Sequence, residues 1–130
     1  MGDPIEVALR DARQKQRDGQ ETGAELVYAE AAELARSKGD RTALAYALRH
    51  MSDLARARGA FSKAWHDASE AAALYRQSSD KLGLANATRL QALSAADPND
   101  ARAFWQQARD LYSHLGVEAG VAECESRLKG

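Results

Sequence analysis

Three histidines, one cysteine and a run of arginines are the residues of this 130-residue chain whose types could do chemistry. His50, His66 and His114 stand far apart, without the short spacing that lets one element hold a metal. Cys124 is the sole cysteine, so a zinc site lacks ligands. Gly83, Gly116 and Gly120 are isolated and form no phosphate-cradling loop. No serine stands in a nucleophile elbow. Glu123 and Glu125 lie two apart, which on a helix points them in different directions. No catalytic residue, cofactor or metal is therefore expected, and an enzyme is the least supported reading. What is left is the chemistry of arginine, whose planar guanidinium grips a carboxylate through two parallel hydrogen bonds.

Composition narrows the classes further. Lysine and arginine number 18 against 19 aspartates and glutamates, for a net charge of −1. No global basic field draws the chain to nucleic acid or to an anionic membrane. A single cysteine cannot form an internal disulfide, which suits a reducing compartment. The stretch MGDPIEVALRDARQK has no apolar core of signal-peptide length, and Glu6 stands where myristoylation needs a hydroxyl. No apolar run approaches the ~20 residues that span a bilayer. A cytoplasmic protein of one domain is the expectation.

Any side chain that acts must be positioned by helices. Alanine, leucine, arginine, glutamine and glutamate dominate, and all favour the helix. Ile5, Ala8, Leu9 and Ala12 follow one-face helical spacing, as do Leu44, Leu48, Met51 and Ala55. Phe61, Ala64, Ala68, Ala71 and Tyr75 form a third stripe, and Ala101, Phe104, Trp105, Ala108, Leu111 and Tyr112 a fourth. Asp3-Pro4 and Asp97-Pro98 place an N-cap acceptor before a proline that has no N–H to leave unpaired. Glu6 makes Asp3 resemble a capping box. Gly39-Asp40 and Ser79-Asp80 read as a stop followed by a new cap, and Gly19 and Gly59 as tight turns. The expected helices are 4–17, 21–37, 41–57, 61–77, 81–95, 98–114 and 117–128, joined by short links.

The segments 19–34, 59–74 and 99–111 repeat one another. Ala24, Ala64 and Ala101 fall in register, as do Ala31, Ala71 and Ala108, and Leu34, Leu74 and Leu111. The offsets are 40 and then 37. The phrases RTALAYAL (41–48), KLGLANAT (81–88) and EAGVAECE (118–125) align through Ala45, Ala85 and Ala122, so the last helix reads as half of a fourth unit. A recurrence of this length marks units that bury their apolar faces by stacking on one another.

In these residues the chain resembles the tetratricopeptide repeat family, in its variant of about forty residues per unit. The second unit carries the pattern best, in Leu48, Gly59, Phe61, Ala64, Ala68, Ala71 and Leu74. The first keeps Gly19, Ala24, Tyr28, Ala31 and Leu34. The third keeps Ala101, Trp105, Ala108 and Leu111, but its turn, ADPND, lacks the glycine and is three residues shorter. The resemblance implies an all-α, right-handed solenoid of three antiparallel hairpins (4–37, 41–77 and 81–114) closed by a cap helix at 117–128. A plain four-helix bundle or an unrelated hairpin array is the alternative.

In that family the first helix of each pair lines a concave groove that receives a peptide or a partner helix. Carried onto this chain, the groove candidates are Arg10, Arg13 and Arg17, then Tyr46, Arg49, His50, Asp53 and Arg56, then Asn86 and Arg89. Arg49 and Arg89 occupy equivalent positions. Glu25, Glu30, Glu33, Asp67 and Glu70 lie on the second helices. The resemblance thus implies a non-enzymatic interaction module whose basic groove takes an acidic peptide of a partner protein. It does not extend to the carboxylate clamp of chaperone-binding members, because Leu9, Arg13 and His50 stand where that clamp needs lysine and asparagine. Solvated or locally paired arginines are the structural alternative. A self-associating homodimer is another reading, in which those of Leu115, Val117, Val121 and Leu128 left uncovered bind a second copy. A regulatory piece of a larger signalling or transcription-control system is a third. Trp105, Phe61, Tyr28 and Tyr75 are expected to pack in the core, Trp65 to be half-buried, and Cys124 to be a small buried thiol.

Overall fold

Asp3, Asp40, Asp80 and Asp97 each begin a helix by accepting a backbone N–H with the side chain, from Ile5, Ala43, Gly83 and Asn99 respectively. These caps satisfy donors that the first helical turn leaves without partners. The computed structural model describes residues 2–130. Its helices are α1 (Pro4–Arg17), α2 (Glu21–Lys38), α3 (Arg41–Ala57), α4 (Phe61–Arg76), α5 (Lys81–Ser94), α6 (Pro98–Leu115) and α7 (Glu118–Lys129). The described residues contain no strand.

Several ends differ by a residue from the sequence expectation. Helices α2 and α6 run one residue further, to Lys38 and Leu115, because the left-handed glycines that close them are Gly39 and Gly116, at φ 72° in both. Helix α4 stops one residue earlier, at Arg76. There the Ser78 hydroxyl donates to the Tyr75 carbonyl and accepts the Asp80 N–H. Helix α5 stops at Ser94, where Ala95 turns extended ahead of Asp97-Pro98. Proline excludes its predecessor from the helical region, which holds Asp97 extended as well. Helix α7 spans Glu118–Lys129, one residue later than expected at both ends. Asp3 caps α1 alone, since Glu6 returns no bond to its backbone among the described residues. Gly19 and Gly59 take φ of 78° and 83°, the left-handed backbone that a tight turn needs.

Each helix packs on the next along the chain, from α1 on α2 through α6 on α7, and α3 also touches α5. The contacts fall on the recurring small positions. Ala24, Ala31, Ala64, Ala68, Ala71 and Ala108 are buried, because only a small side chain lets two helix backbones approach. Leu34, Leu74 and Leu111 pack against this core from the side. Trp105, Tyr112 and Cys124 join α6 and α7 in a second cluster, covered by Val117, Val121 and Leu128.

One pair of positions trades volume between units. In the first, Ala35 and Ala43 are both small and buried. Forty residues on stand Tyr75 and Gly83, and a further 37 on, Tyr112 and Gly120. A methyl group on Gly83 would strike the Tyr75 ring, and one on Gly120 would come within 2.5 Å of Tyr112 Cγ. Each tyrosine lies flat where its glycine leaves room.

Among the aromatic side chains, Tyr28, Tyr75 and Trp105 are buried as expected. Phe61 is not: it is 52% exposed, because it is the first residue of α4 and sits at the rim of the helix stack. Trp65 is half-buried, with its ring edge-on to Phe104 at 5.3 Å between centroids.

Candidate binding face

The middle of α3 carries Tyr46, Arg49, His50 and Asp53 within two turns, and α1 and α5 flank it. Gln16, Arg49, His50, Asp53, Asn86, Arg89 and Leu90 line a cleft between the three helices, of about 190 Å³. Five of the ten expected groove residues line it: Asn86 and Arg89 from α5, and Arg49, His50 and Asp53 from α3. Tyr46 stands next to it, against the His50 ring. Arg13 joins them from α1 through Tyr46. Arg10 and Arg17 do not join. Both are exposed, and Arg17 donates to Gln14 on its own helix.

Behind His50 lies an aromatic layer. The His50 ring stacks on Tyr28 with centroids 5.0 Å apart and planes 8° from parallel, and it meets Tyr46 at 4.4 Å. The Tyr28 hydroxyl donates to Gln16 Oε1 at 2.8 Å. Burial pushes Tyr28 up to about 12. Burial first, and then the charge of Arg49, holds His50 down at about 4, with Asp53 pulling the other way. His50 is thus neutral near pH 7, and its Nε2 is buried without a partner. A neutral ring locked between two tyrosines acts as packing with a polar edge.

The arginines have separate fates. Arg13 donates to the Tyr46 hydroxyl at 3.3 Å and sits 5.7 Å from that ring's centroid. Arg56 pairs with Asp53 one turn earlier at 2.7 Å. Arg89 grips Glu123 of α7, its Nε donating at 2.6 Å and its Nη2 at 3.0 Å. Arg49 makes no ion pair among the described residues. Its Nε is buried without a hydrogen-bond partner, and its guanidinium lies 5.6 Å from the Tyr46 ring centroid.

The equivalence of Arg49 and Arg89 is therefore broken by the residue that the next unit sets opposite each. The alignment of Ala45, Ala85 and Ala122 puts Tyr46, Asn86 and Glu123 at one repeat position. Arg89 finds Glu123 on the next first-of-pair helix. Arg49 finds Asn86 there, a neutral amide whose Oδ1 already accepts the Tyr112 hydroxyl at 2.6 Å. Glu123 is not among the groove residues expected from sequence, although its register with Asn86 is visible in the repeat. Gln16 escapes the same reading because α1 has no counterpart phrase to align.

Three of the five second-helix acids are engaged elsewhere. Glu25 binds Arg58 and Lys63, Glu70 binds Arg36, and Asp67 binds Lys63. No group of three histidine, cysteine or acidic side chains among the described residues could hold a metal ion. None of the described helices is long and apolar enough to cross a membrane. No protein-family model matches the chain, and comparison with curated proteins gives no match.

Proposed function

We propose that the chain is a tetratricopeptide-type module, a right-handed stack of three hairpins and a cap helix. Its face around Arg49 binds a carboxylate-bearing peptide or helix of a partner protein, without catalysis. The observation that carries this reading is Arg49 itself. A guanidinium half-withdrawn from water, with a buried, unpartnered Nε, no carboxylate paired with it among the described residues and only the Tyr75 hydroxyl near enough to accept from it, is a costly group to leave unmatched. Its repeat twin, Arg89, has a carboxylate as its acceptor, held side-on by Nε and a terminal nitrogen. A ligand acid would occupy beside Arg49 the place that Glu123 takes beside Arg89. Tyr46, Asn86 and Gln16 frame that place with neutral hydrogen-bonding groups, which orient without adding repulsion.

Arg89 and Arg56 are neutralised internally, which leaves the charge of this face to Arg49 and Arg13, both set against the Tyr46 ring. Arg13 already donates to the Tyr46 hydroxyl, so the charge-assisted grip falls to Arg49 with neighbouring polar contacts. Self-association is the alternative. Of the apolar residues near the C-terminus, Leu115 is left 41% exposed while Val117, Val121 and Leu128 pack inward. Light scattering across concentration separates a dimer from a monomeric module.

The test is selection from an unbiased peptide library on the native protein, with Arg49→Glu as the counter-screen. Enrichment of Asp- or Glu-bearing peptides that the variant fails to hold supports the reading. Peptides retained equally by both proteins contradict it.

A further inference from the structure

The two seams between successive hairpins are built from equivalent positions, and they carry opposite chemistry. At the first seam Glu25 of α2 faces the next hairpin and is closed by its cations. Arg58 Nε and Nη2 donate to the two Glu25 oxygens at 2.8 and 3.0 Å, and Lys63 Nζ lies 3.8 Å away. At the second seam the equivalent of Glu25 is Trp65, and the equivalent of Lys63 is Asp100. The turn there is three residues shorter and contributes Asp97 where the first seam has a basic loop. Among the described residues no cation pairs with Asp97 or Asp100 at this seam.

The result is an open cleft of about 730 Å³, against about 420 Å³ at the first seam. Phe61 and Trp65 line one side, and Leu93 with the end of α5 the other. That end is the negative pole of its helix, and Ala95 closes it without the backward N–H bond that the caps of α1, α2, α3, α4 and α6 make. Asp97 keeps one oxygen on Asn99 as a helix cap, and Asp100 is exposed with no bonded partner among the described residues. A partly exposed indole and an exposed phenyl ring beside two carboxylates and a helix C-terminus favour a cation with a flat, weakly hydrated surface.

We propose that this cleft receives an arginine side chain from a segment of a partner protein, supplying in trans the guanidinium that Arg58 supplies in cis one seam earlier. A guanidinium stacks on an indole while its N–H groups reach carboxylates at the edge, which an ammonium does less well. This site is separate from the Arg49 face, and it selects the opposite charge.

The test is a titration of the full chain, ¹⁵N-labelled, with acetyl-Gly-Arg-Gly-amide. The probes are the Trp65 indole N–H and the amides of Phe61, Asp97 and Asp100. The expected result is a saturable shift of these signals at millimolar peptide, at least tenfold weaker with the citrulline peptide and weakened severalfold with the lysine one. Asp100→Asn and Phe61→Ala, with unchanged circular dichroism, should each raise Kd threefold or more. Arg49→Glu should leave it unchanged, so this site and the Arg49 face fail independently. Equal binding of citrulline or leucine peptides overturns the proposal, as does a Kd indifferent to Asp100→Asn. Dimerisation that covers Trp65 would assign the cleft to a second copy and overturn it too.

Discussion

The Arg89 guanidinium holds the Glu123 carboxylate side-on, 2.6 Å from Nε and 3.0 Å from Nη2, and so ties α7 to α5 across the intervening helix. Each side chain is about one-third exposed, 33% and 31%. Hydrogen bonding to Arg89 lowers the Glu123 carboxyl below its ordinary 4.5, against the opposing effect of burial. A depressed carboxylate stabilises the fold above its unfolded pKa and ceases to do so as pH falls through the folded value. Glu123→Gln should therefore destabilise the protein by about 1 kcal/mol near pH 7. The gap from the parent in urea midpoint should shrink as pH drops below about 4.5. A gap independent of pH would show that the pair does not hold α7.

Cys124 lies directly after Glu123 and is fully buried, and burial raises its thiol above the ordinary value. It should react slowly with a disulfide reagent in the native protein. If Arg89 pins α7, Arg89→Ala should speed that reaction severalfold while α1 to α5 keep their helical signal. An unchanged rate would place the anchoring of α7 in Val117, Val121 and Leu128 instead.

Tyr75 and Gly83 should behave as one unit. Gly83→Ala drives a methyl into the tyrosine ring and should cost about 1–3 kcal/mol, well beyond the gain in helix propensity. Tyr75→Ala alone opens a cavity. Together the two changes rebuild the Ala35/Ala43 arrangement of the first unit. The double variant should then exceed the additive expectation by about 1 kcal/mol or more in urea unfolding. Additive effects would mean that the two positions do not share space.

His50 sets a second pH response. Its folded pKa of about 4 lies below the ordinary 6.5, because burial and Arg49 disfavour the imidazolium. The unfolded chain therefore binds a proton that the fold excludes, and stability present above pH 6.5 is lost as pH falls toward 4. The loss attributable to this ring is at most about 3 kcal/mol. His50→Gln should flatten the stability profile between those limits. A profile unchanged by the substitution would show that the ring titrates in water.

Much of the helix layout was legible because it rests on local chemistry. Aspartate caps, positive-φ glycines and the alanine register act over a few residues, and the helix ends moved by only one. The face around α3 was half legible. The family resemblance brought Tyr46, Arg49, His50 and Asp53 together, but the state of Arg13 and Arg89 depends on residues 33 and 34 positions away. Arg89 and Arg49 look identical in sequence; a glutamate opposite one and an asparagine opposite the other divide them. Phe61 shows the converse error, since helical spacing assigns a stripe without saying that its first residue lies at an open end. The cleft beside Trp65 was foreshadowed only by the shortened turn, because cavity shape depends on backbone placement.

The central claim is that Arg49 awaits a carboxylate from outside the chain. Calorimetric titration of a library-selected acidic peptide tests it most directly, with the parent, Arg49→Glu and Arg49→Gln, and with the peptide's acid changed to its amide. Loss of about 1.5–3 kcal/mol, or roughly ten- to a hundredfold in Kd, is expected when either the arginine or the acid is neutralised. Little further loss should follow when both are, because the two act as one contact. Independent, additive losses, or a Kd that ignores Arg49, would contradict it.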